Sequence, residues 1–205
     1  MQIFLSIEIL FETHSLSTDN QRGLATGWLE GRLSETGKRL ARELGERRRA
    51  DNIAAVFTSD LGRAVETAEI AFGGSGIPIH RDRRLRECNY GTLNGMPVSR
   101  LEAERARRIH EPFPGGESYR QVVDRVKSFL DDLPRTLDGA RVIVIGHSAT
   151  RWALDHLLCG AELEDLVAAP FQWQEGWLYV LPTTWLPEVN SSSNSCSFCG
   201  KQRTS

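Results

Sequence analysis

Histidine closes two strand-like stretches of this chain. Ile3 to Phe11 runs into Glu12-Thr13-His14-Ser15, and Arg141 to Ile145 runs into Gly146-His147-Ser148. Imidazole is the side chain that changes charge near neutral pH, so a pair of them suits nucleophilic or acid–base chemistry. In an open α/β sheet, ligands bind beyond the carboxyl ends of parallel strands, where residues far apart in sequence meet. Taken singly, each histidine reads equally well as a strand-end residue bonded to a nearby carbonyl; their matching contexts favour a shared site. Three more residues would reach the same rim. Arg63, in Ser59-Asp60-Leu61-Gly62-Arg63, falls in the first turn of a helix that follows a strand. There a guanidinium and free backbone N–H groups together attract an anion. Glu87 lies in an irregular, glycine-containing segment where a carboxyl group could give and take a proton. Asn20, in the loop after His14, could donate a hydrogen bond to an oxyanion. Each of the three also has an ordinary use, as a surface helix residue, a solvated charge and a turn former.

The elements needed to hold these residues are legible in outline. Ser15 to Gly31 is rich in Ser, Thr, Asn, Asp and Gly and reads as a loop. Leu33-Ser34-Glu35-Thr36-Gly37 opens a helix whose apolar positions Leu40, Ala41 and Leu44 keep helical spacing. The run Glu46-Arg47-Arg48-Arg49 reads as its solvated end. Ile53 to Phe57 is a short buried strand, capped by Thr58-Ser59-Asp60 for a helix from Leu61 to Phe72. Leu85 to Pro97 looks irregular, Arg100 to His110 a charged helix, and Ser118 to Leu133 an amphipathic one. Arg141 to Ile145 is the clearest buried strand, followed by a helix from Thr150 to Leu158. Phe171 to Leu181, with Trp173, Trp177 and Tyr179, suits a final edge strand, its tryptophans and Trp152 packing the core. Alternating strands and helices imply right-handed βαβ units: a three-layer α/β/α fold around a mainly parallel central sheet.

Bulk properties narrow the function classes. The 205 residues fit one domain, 1–181, with a tail over 182–205. A net charge of −2, with 25% charged and 40% hydrophobic residues, argues against nucleic acid as a partner. No stretch approaches the roughly 18 apolar residues of a membrane span, and the apolar start contains Glu8 and reads as a strand. Of the four cysteines, Cys88 and Cys159 are isolated, and only Cys196 and Cys199 are close, in a Cys-Ser-Phe-Cys knuckle within a Ser-rich tail. That knuckle resembles the first half of the zinc-binding module at the start of the ClpX chaperone, but it lacks a second pair of ligands, so no metal is assigned to it. A reducing cytoplasm is the expected location.

The motifs together resemble the histidine phosphatase superfamily, the phosphoglycerate mutase-like fold. The family opens on Arg-His-Gly with an Asn six residues after the His; here the residues are Thr13-His14-Ser15 and Asn20. Its Ser-x-Leu-x-Arg-Ala-x-x-Thr-Ala appears as Ser59 to Ala68, its Leu-x-Glu as Leu85-Arg86-Glu87, its Gly-Gly-Glu-Ser as Gly115 to Ser118, and its late His-Gly as His147-Ser148. The resemblance spans roughly residues 1 to 181. It implies a metal- and cofactor-independent phosphomonoester hydrolase. His14 would be the nucleophile, Arg63 and His147 would hold phosphoryl oxygens, and Glu87 would protonate the leaving alcohol. Asn20, Thr13, Ser15 and Ser148 would line the anion site. The length favours a hydrolase over a mutase, which in this family usually carries longer insertions, and Met96 to Glu117 would roof the site.

One departure bears on activity: Thr13 replaces the arginine of the first motif. Losing that cation could cost on the order of 2–4 kcal/mol of transition-state stabilisation. Arg22 in the following loop, or Arg151 in the helix after His147, could restore the charge, or the substrate's own groups could fill the gap. The alternatives are a protein that binds an anionic metabolite or a protein partner without turnover, and a different enzyme reusing the two histidines. The expected partner is a small phosphorylated or anionic metabolite, without nucleic acid or membrane, and a homodimer is open.

Overall fold

A computed structural model describes residues 6–133, 137, 139–182 and 185. Strand β1 (Ser6–Thr13) leads to a short helix α1 (Thr18–Gln21), a two-residue strand β2 (Leu24–Ala25) and helix α2 (Glu35–Arg47). Strand β3 (Ala55–Thr58), helix α3 (Gly62–Phe72) and strand β4 (Ile79–Arg81) follow. Then come β5 (Met96–Pro97), α4 (Val98–Glu104) and α5 (Tyr119–Asp132). The last elements are β6 (Arg141–Gly146), α6 (Ser148–Cys159), α7 (Leu163–Ala168) and β7 (Trp177–Pro182).

The main sheet has the order β4-β3-β6-β1-β7. All its pairings are parallel except β1 with β7, which makes β7 an antiparallel edge strand. Side chains alternate across the sheet. Ile7, Ile9, Phe11, Val142 and Val144 face a core shared with Phe129, Leu130 and Trp152 of α5 and α6. Leu10, Val56, Ile143 and Ile145 face Leu44, Ala64, Ala68 and Phe72 of α2 and α3. The three-layer α/β/α expectation is met. Each fully buried side chain of this size contributes roughly 1.5–3 kcal/mol, so the sheet has a firm foundation on both faces.

Register is what places the site. Thr13 pairs with Gly146 across β1 and β6, and Thr58 pairs with Ile145 across β3 and β6. His14, Ser59 and His147 therefore emerge side by side at the carboxyl end of three adjacent strands, tied by His14 N–H to the Gly146 carbonyl (3.0 Å) and Ser59 N–H to the Ile145 carbonyl (3.1 Å). Helix α2 starts at the Ser34 cap, whose hydroxyl accepts the Gly37 N–H (3.0 Å). It crosses the loop after His14 so closely that a Cβ on Gly37 would lie 2.0 Å from the Leu16 carbonyl oxygen.

Several local expectations need correction. The loop after His14 contains α1 and β2, because Ser17 and Asn20 form a capping box and β2 finds a partner in β5. The expected helix from Arg100 to His110 begins at Val98, ends at Glu104 and is followed by a 3-10 turn at Arg107–Ile109. The last strand starts at Trp177 and not at Phe171: Gly176, at φ +84, breaks the extended run. Trp173 is consequently 60% exposed and not in the core, whereas Trp152 is buried. Of the tail expected over 182–205, Pro182 closes β7 and Trp185 donates from Nε1 to Asp131 (2.8 Å), while the Cys196–Cys199 knuckle lies outside the described residues. Among the described residues, no helix is long and apolar enough to cross a membrane.

Candidate active site

The two histidine rings face each other with centroids 5.0 Å apart. His14 sits on the turn leaving β1, and His147 caps the start of α6, where its N–H bonds the Thr150 hydroxyl (3.4 Å). Arg63, in the first turn of α3, reaches between them. Its Nε donates to Nε2 of His14 (3.2 Å), and its Nη2 donates to the Gly27 carbonyl (2.9 Å) and to Nδ1 of His147 (3.3 Å). Gly27 presents that carbonyl from a φ of +56 beside Asn94, whose Oδ1 would stand 1.8 Å from a Cβ there, so no other residue fits. The remaining guanidinium nitrogen, Nη1, is buried and has no hydrogen-bond partner.

These contacts fix both imidazole tautomers. Nδ1 of His14 lies 2.8 Å from the Ser15 carbonyl, which can only accept, so Nδ1 carries the proton and Nε2 keeps a lone pair. In His147, Nδ1 accepts from Arg63, so Nε2–H donates to the Ser59 hydroxyl at 2.7 Å. Burial first, and then the adjacent Arg63 charge, push the pKa of His14 down to about 3. The same causes, in the same order, hold His147 well below the usual imidazole range. Both rings are neutral at physiological pH.

Glu87 is buried at the same rim. Its Oε1 accepts the Cys88 N–H (2.7 Å) and the Ala149 N–H at the start of α6 (3.3 Å). Its backbone carbonyl is clamped by Trp28 Nε1 (2.7 Å) and Arg125 Nη2 (3.0 Å). Burial raises its carboxyl pKa, and those hydrogen bonds and the Arg63 and Arg125 charges oppose the shift without cancelling it.

A cavity of about 570 Å3 opens over these groups and is lined by His14, Arg63, Glu87 and His147, together with Thr13, Ser15, Asn20 and Ser148. Ser15 is fixed by its N–H to the Thr67 hydroxyl (3.0 Å). Asn20 is exposed and accepts the Ser17 N–H and hydroxyl with Oδ1 (3.1 and 2.8 Å), which leaves its amide nitrogen as the donor. The expected roof is present in Val98, Leu101 and Arg105 of the cap segment.

Neither cation expected to stand in for the missing arginine reaches this cavity. Arg22 is exposed as the C-cap residue of α1. Arg151 is held by Asp155 (3.0 Å) and lies over the Trp177 ring (4.9 Å). Arg47 and Arg105 line the cavity in their stead. The run at 46–49 is not wholly solvated: Arg48 folds onto the buried Glu12, donating from Nε (2.9 Å) and Nη2 (2.7 Å), and Arg47 approaches the same carboxylate at 3.6 Å. Burial raises the pKa of Glu12 despite these two arginines. The clue available in the sequence was Glu12 itself, an acid in a strand covered on both faces, which demands a cation. Arg105 carried no such signal within its charged helix. Trp173 and Phe171 stand at the cavity edge beside Glu175.

The family model of the histidine phosphatase superfamily (branch 1) matches residues 9–181. A 2,3-bisphosphoglycerate-dependent phosphoglycerate mutase of Methylobacterium sp. (strain 4-46) is 34% identical over 173 residues, covering 77% of this chain and 83% of that protein. Phosphoserine phosphatase 1 of Hydrogenobacter thermophilus is 27% identical over 165 residues, covering 77% and 78% respectively. Among solved structures, Bacillus stearothermophilus YhfR superposes with a TM-score of 0.75 at 27% identity, covering 85% of this chain and 90% of that one. With the facing histidines, the motif order and the sheet topology in agreement, the chain belongs to the histidine phosphatase superfamily.

Proposed function

We propose that the protein is a phosphatase that hydrolyses a small phosphomonoester through a phosphohistidine on His14. The observation that carries this reading is the tautomer of His14: Nδ1–H is spent on the Ser15 carbonyl, so Nε2 presents a lone pair beside the Arg63 guanidinium. A neutral imidazole is nucleophilic, and a pKa of about 3 keeps it so. Nε2 attacks phosphorus as the bond to the leaving oxygen breaks, and Glu87 gives its proton to the departing alkoxide. Burial, which raises its pKa, favours the protonated form that this step needs. Water then attacks the phosphohistidine, Glu87 takes the water proton, and the P–N bond electrons return to Nε2.

Arg63 stabilises the equatorial oxygens. Its Nη1 is unengaged, and the contacts from Nε and Nη2 to the two imidazoles are replaced by contacts to the phosphoryl group as it arrives. His147, Asn20, Ser15, Ser148 and Thr13 complete the lining of the anion site. The scheme uses side chains alone.

A chromogenic phosphate ester and a panel of sugar and nucleoside phosphates, assayed with and without chelator, test the reading. Release of inorganic phosphate should survive chelator and vanish in His14→Ala. Transfer of the phosphoryl group to a second substrate hydroxyl in place of water would make the protein a mutase. A silent panel with intact phosphate-ester binding would favour a non-catalytic binding protein.

A further inference from the structure

We propose that Arg47, from the last turn of helix α2, binds the anionic substrate and supplies the guanidinium that the first motif lacks at Thr13; this rests on the phosphatase reading above. Arg47 lines the same cavity as Thr13, His14 and Arg63. Among the described residues its Nε is buried with no hydrogen-bond partner, and its other nitrogens make long ion pairs, 3.6 Å to Glu12 and 3.7 Å to Glu175. Such a buried donor gains by finding an acceptor, and an anionic ligand is the acceptor the cavity admits.

Leaving those carboxylates costs the fold little. Glu12 keeps its two short hydrogen bonds from Arg48, at 2.7 and 2.9 Å, so it is not orphaned when Arg47 turns away. The Glu175 side chain is 62% exposed, where an ion pair is weak. Of the other arginines near the first motif, Arg63 is shared between His14, His147 and the Gly27 carbonyl, Arg48 is committed to Glu12 and the Glu175 carbonyl, and Arg151 to Asp155. Arg105, the remaining cavity arginine, also has a buried Nε without a hydrogen-bond partner, but it is held on the cap side, over the Trp152 ring at 5.3 Å and 3.9 Å from Glu102. Arg47 is thus tied loosely enough to move and close enough to the cavity to act.

The test is a rescue. Arg47→Gln should lower kcat/KM for a chromogenic phosphate ester by about 10²-fold, the lower end for one anion-holding donor, and weaken binding of inorganic phosphate. Thr13→Arg introduced into that variant should recover most of the loss, whereas Arg105→Gln should show no such rescue. Arg47→Lys keeps the charge and should fall in between. Melting temperatures of the variants identify any that fail to fold. The proposal is overturned if Arg47→Gln changes neither turnover nor phosphate binding, if Thr13→Arg does not rescue it, or if the rescued variant is Arg105→Gln. Phosphate binding measured by calorimetry needs no turnover, so it tests Arg47 even if the protein proves not to be a phosphatase.

Discussion

The two ends of the cavity are built differently. At the sheet end, His14, His147, Arg63 and Glu87 are held by hydrogen bonds of 2.7 to 3.3 Å, three of them to the backbone of Ser15, Cys88 and Ala149. At the α2 end, Arg47 makes only contacts of 3.6 and 3.7 Å, and the neighbouring Trp173 is 60% exposed. Short bonds to backbone leave little to reorganise when charge develops, which is what phosphoryl transfer asks of its electrostatic groups. Long side chains at a rim can adapt to the remainder of a substrate. On the proposed function, the chemistry belongs to the tightly bonded end and substrate choice to the looser one.

Changes at the rigid end should be the most damaging. His14→Ala removes the proposed nucleophile, and turnover should drop by at least about 10³-fold, since loss of a nucleophile removes the covalent route altogether; a quenched-flow search for acid-labile phosphoenzyme should also come back empty. Glu87→Gln should cost roughly 10²–10⁴-fold, more for an alkyl than for a p-nitrophenyl leaving group, because only the former needs the proton. Equal losses on both esters would deny Glu87 its acid role.

pH separates the two groups further. On the proposed mechanism the active form has Glu87 protonated, so kcat/KM should fall as pH rises through its raised pKa, and this limb should disappear in Glu87→Gln. His14 acts on stability with the opposite sense. Its folded pKa is about 3 against an ordinary 6.5, so the unfolded chain binds more protons between those values. Stability should therefore fall as pH drops from about 6.5 toward 3, and His14→Ala should flatten that part of a chemical-denaturation series. A slope unchanged in the variant would place the proton uptake elsewhere.

The compliant end should tolerate more. Glu12→Gln leaves Arg48 half-buried without its carboxylate and should cost about 1–3 kcal/mol in denaturant unfolding, while lowering turnover far less than the changes at Glu87. If it proves as damaging to activity as His14→Ala, the division between the two ends is wrong. Arg22→Ala, at an exposed helix cap, should alter neither quantity.

The same division separates what the sequence disclosed from what it concealed. His14, His147 and Arg63 follow apolar runs or open helices, and chain direction alone delivers such residues to one rim. Glu87 was legible through its motif, although the clamp from Trp28 and Arg125 was not. Arg47 was read as solvent-facing because helical periodicity assigns a face and says nothing of where a four-atom stem will reach. Only asking what neutralises Glu12 would have turned it inward. Trp173 was misplaced for a related reason: β-propensity marked the aromatic run, but the positive φ at Gly176 decided where the strand begins. Trp152, deep in α6, needed periodicity alone.

The pairing of Thr13 with Gly146 also makes the site an internal gauge of assembly. Sliding β1 by a single residue against β6 would carry His14 about 3.3 Å along the sheet and turn its side chain to the opposite face. A chain that collapsed with such a slip would keep its helices and its bulk yet hold no facing imidazoles. Recovery of phosphate affinity after dilution from denaturant would therefore report strand alignment, which circular dichroism cannot see.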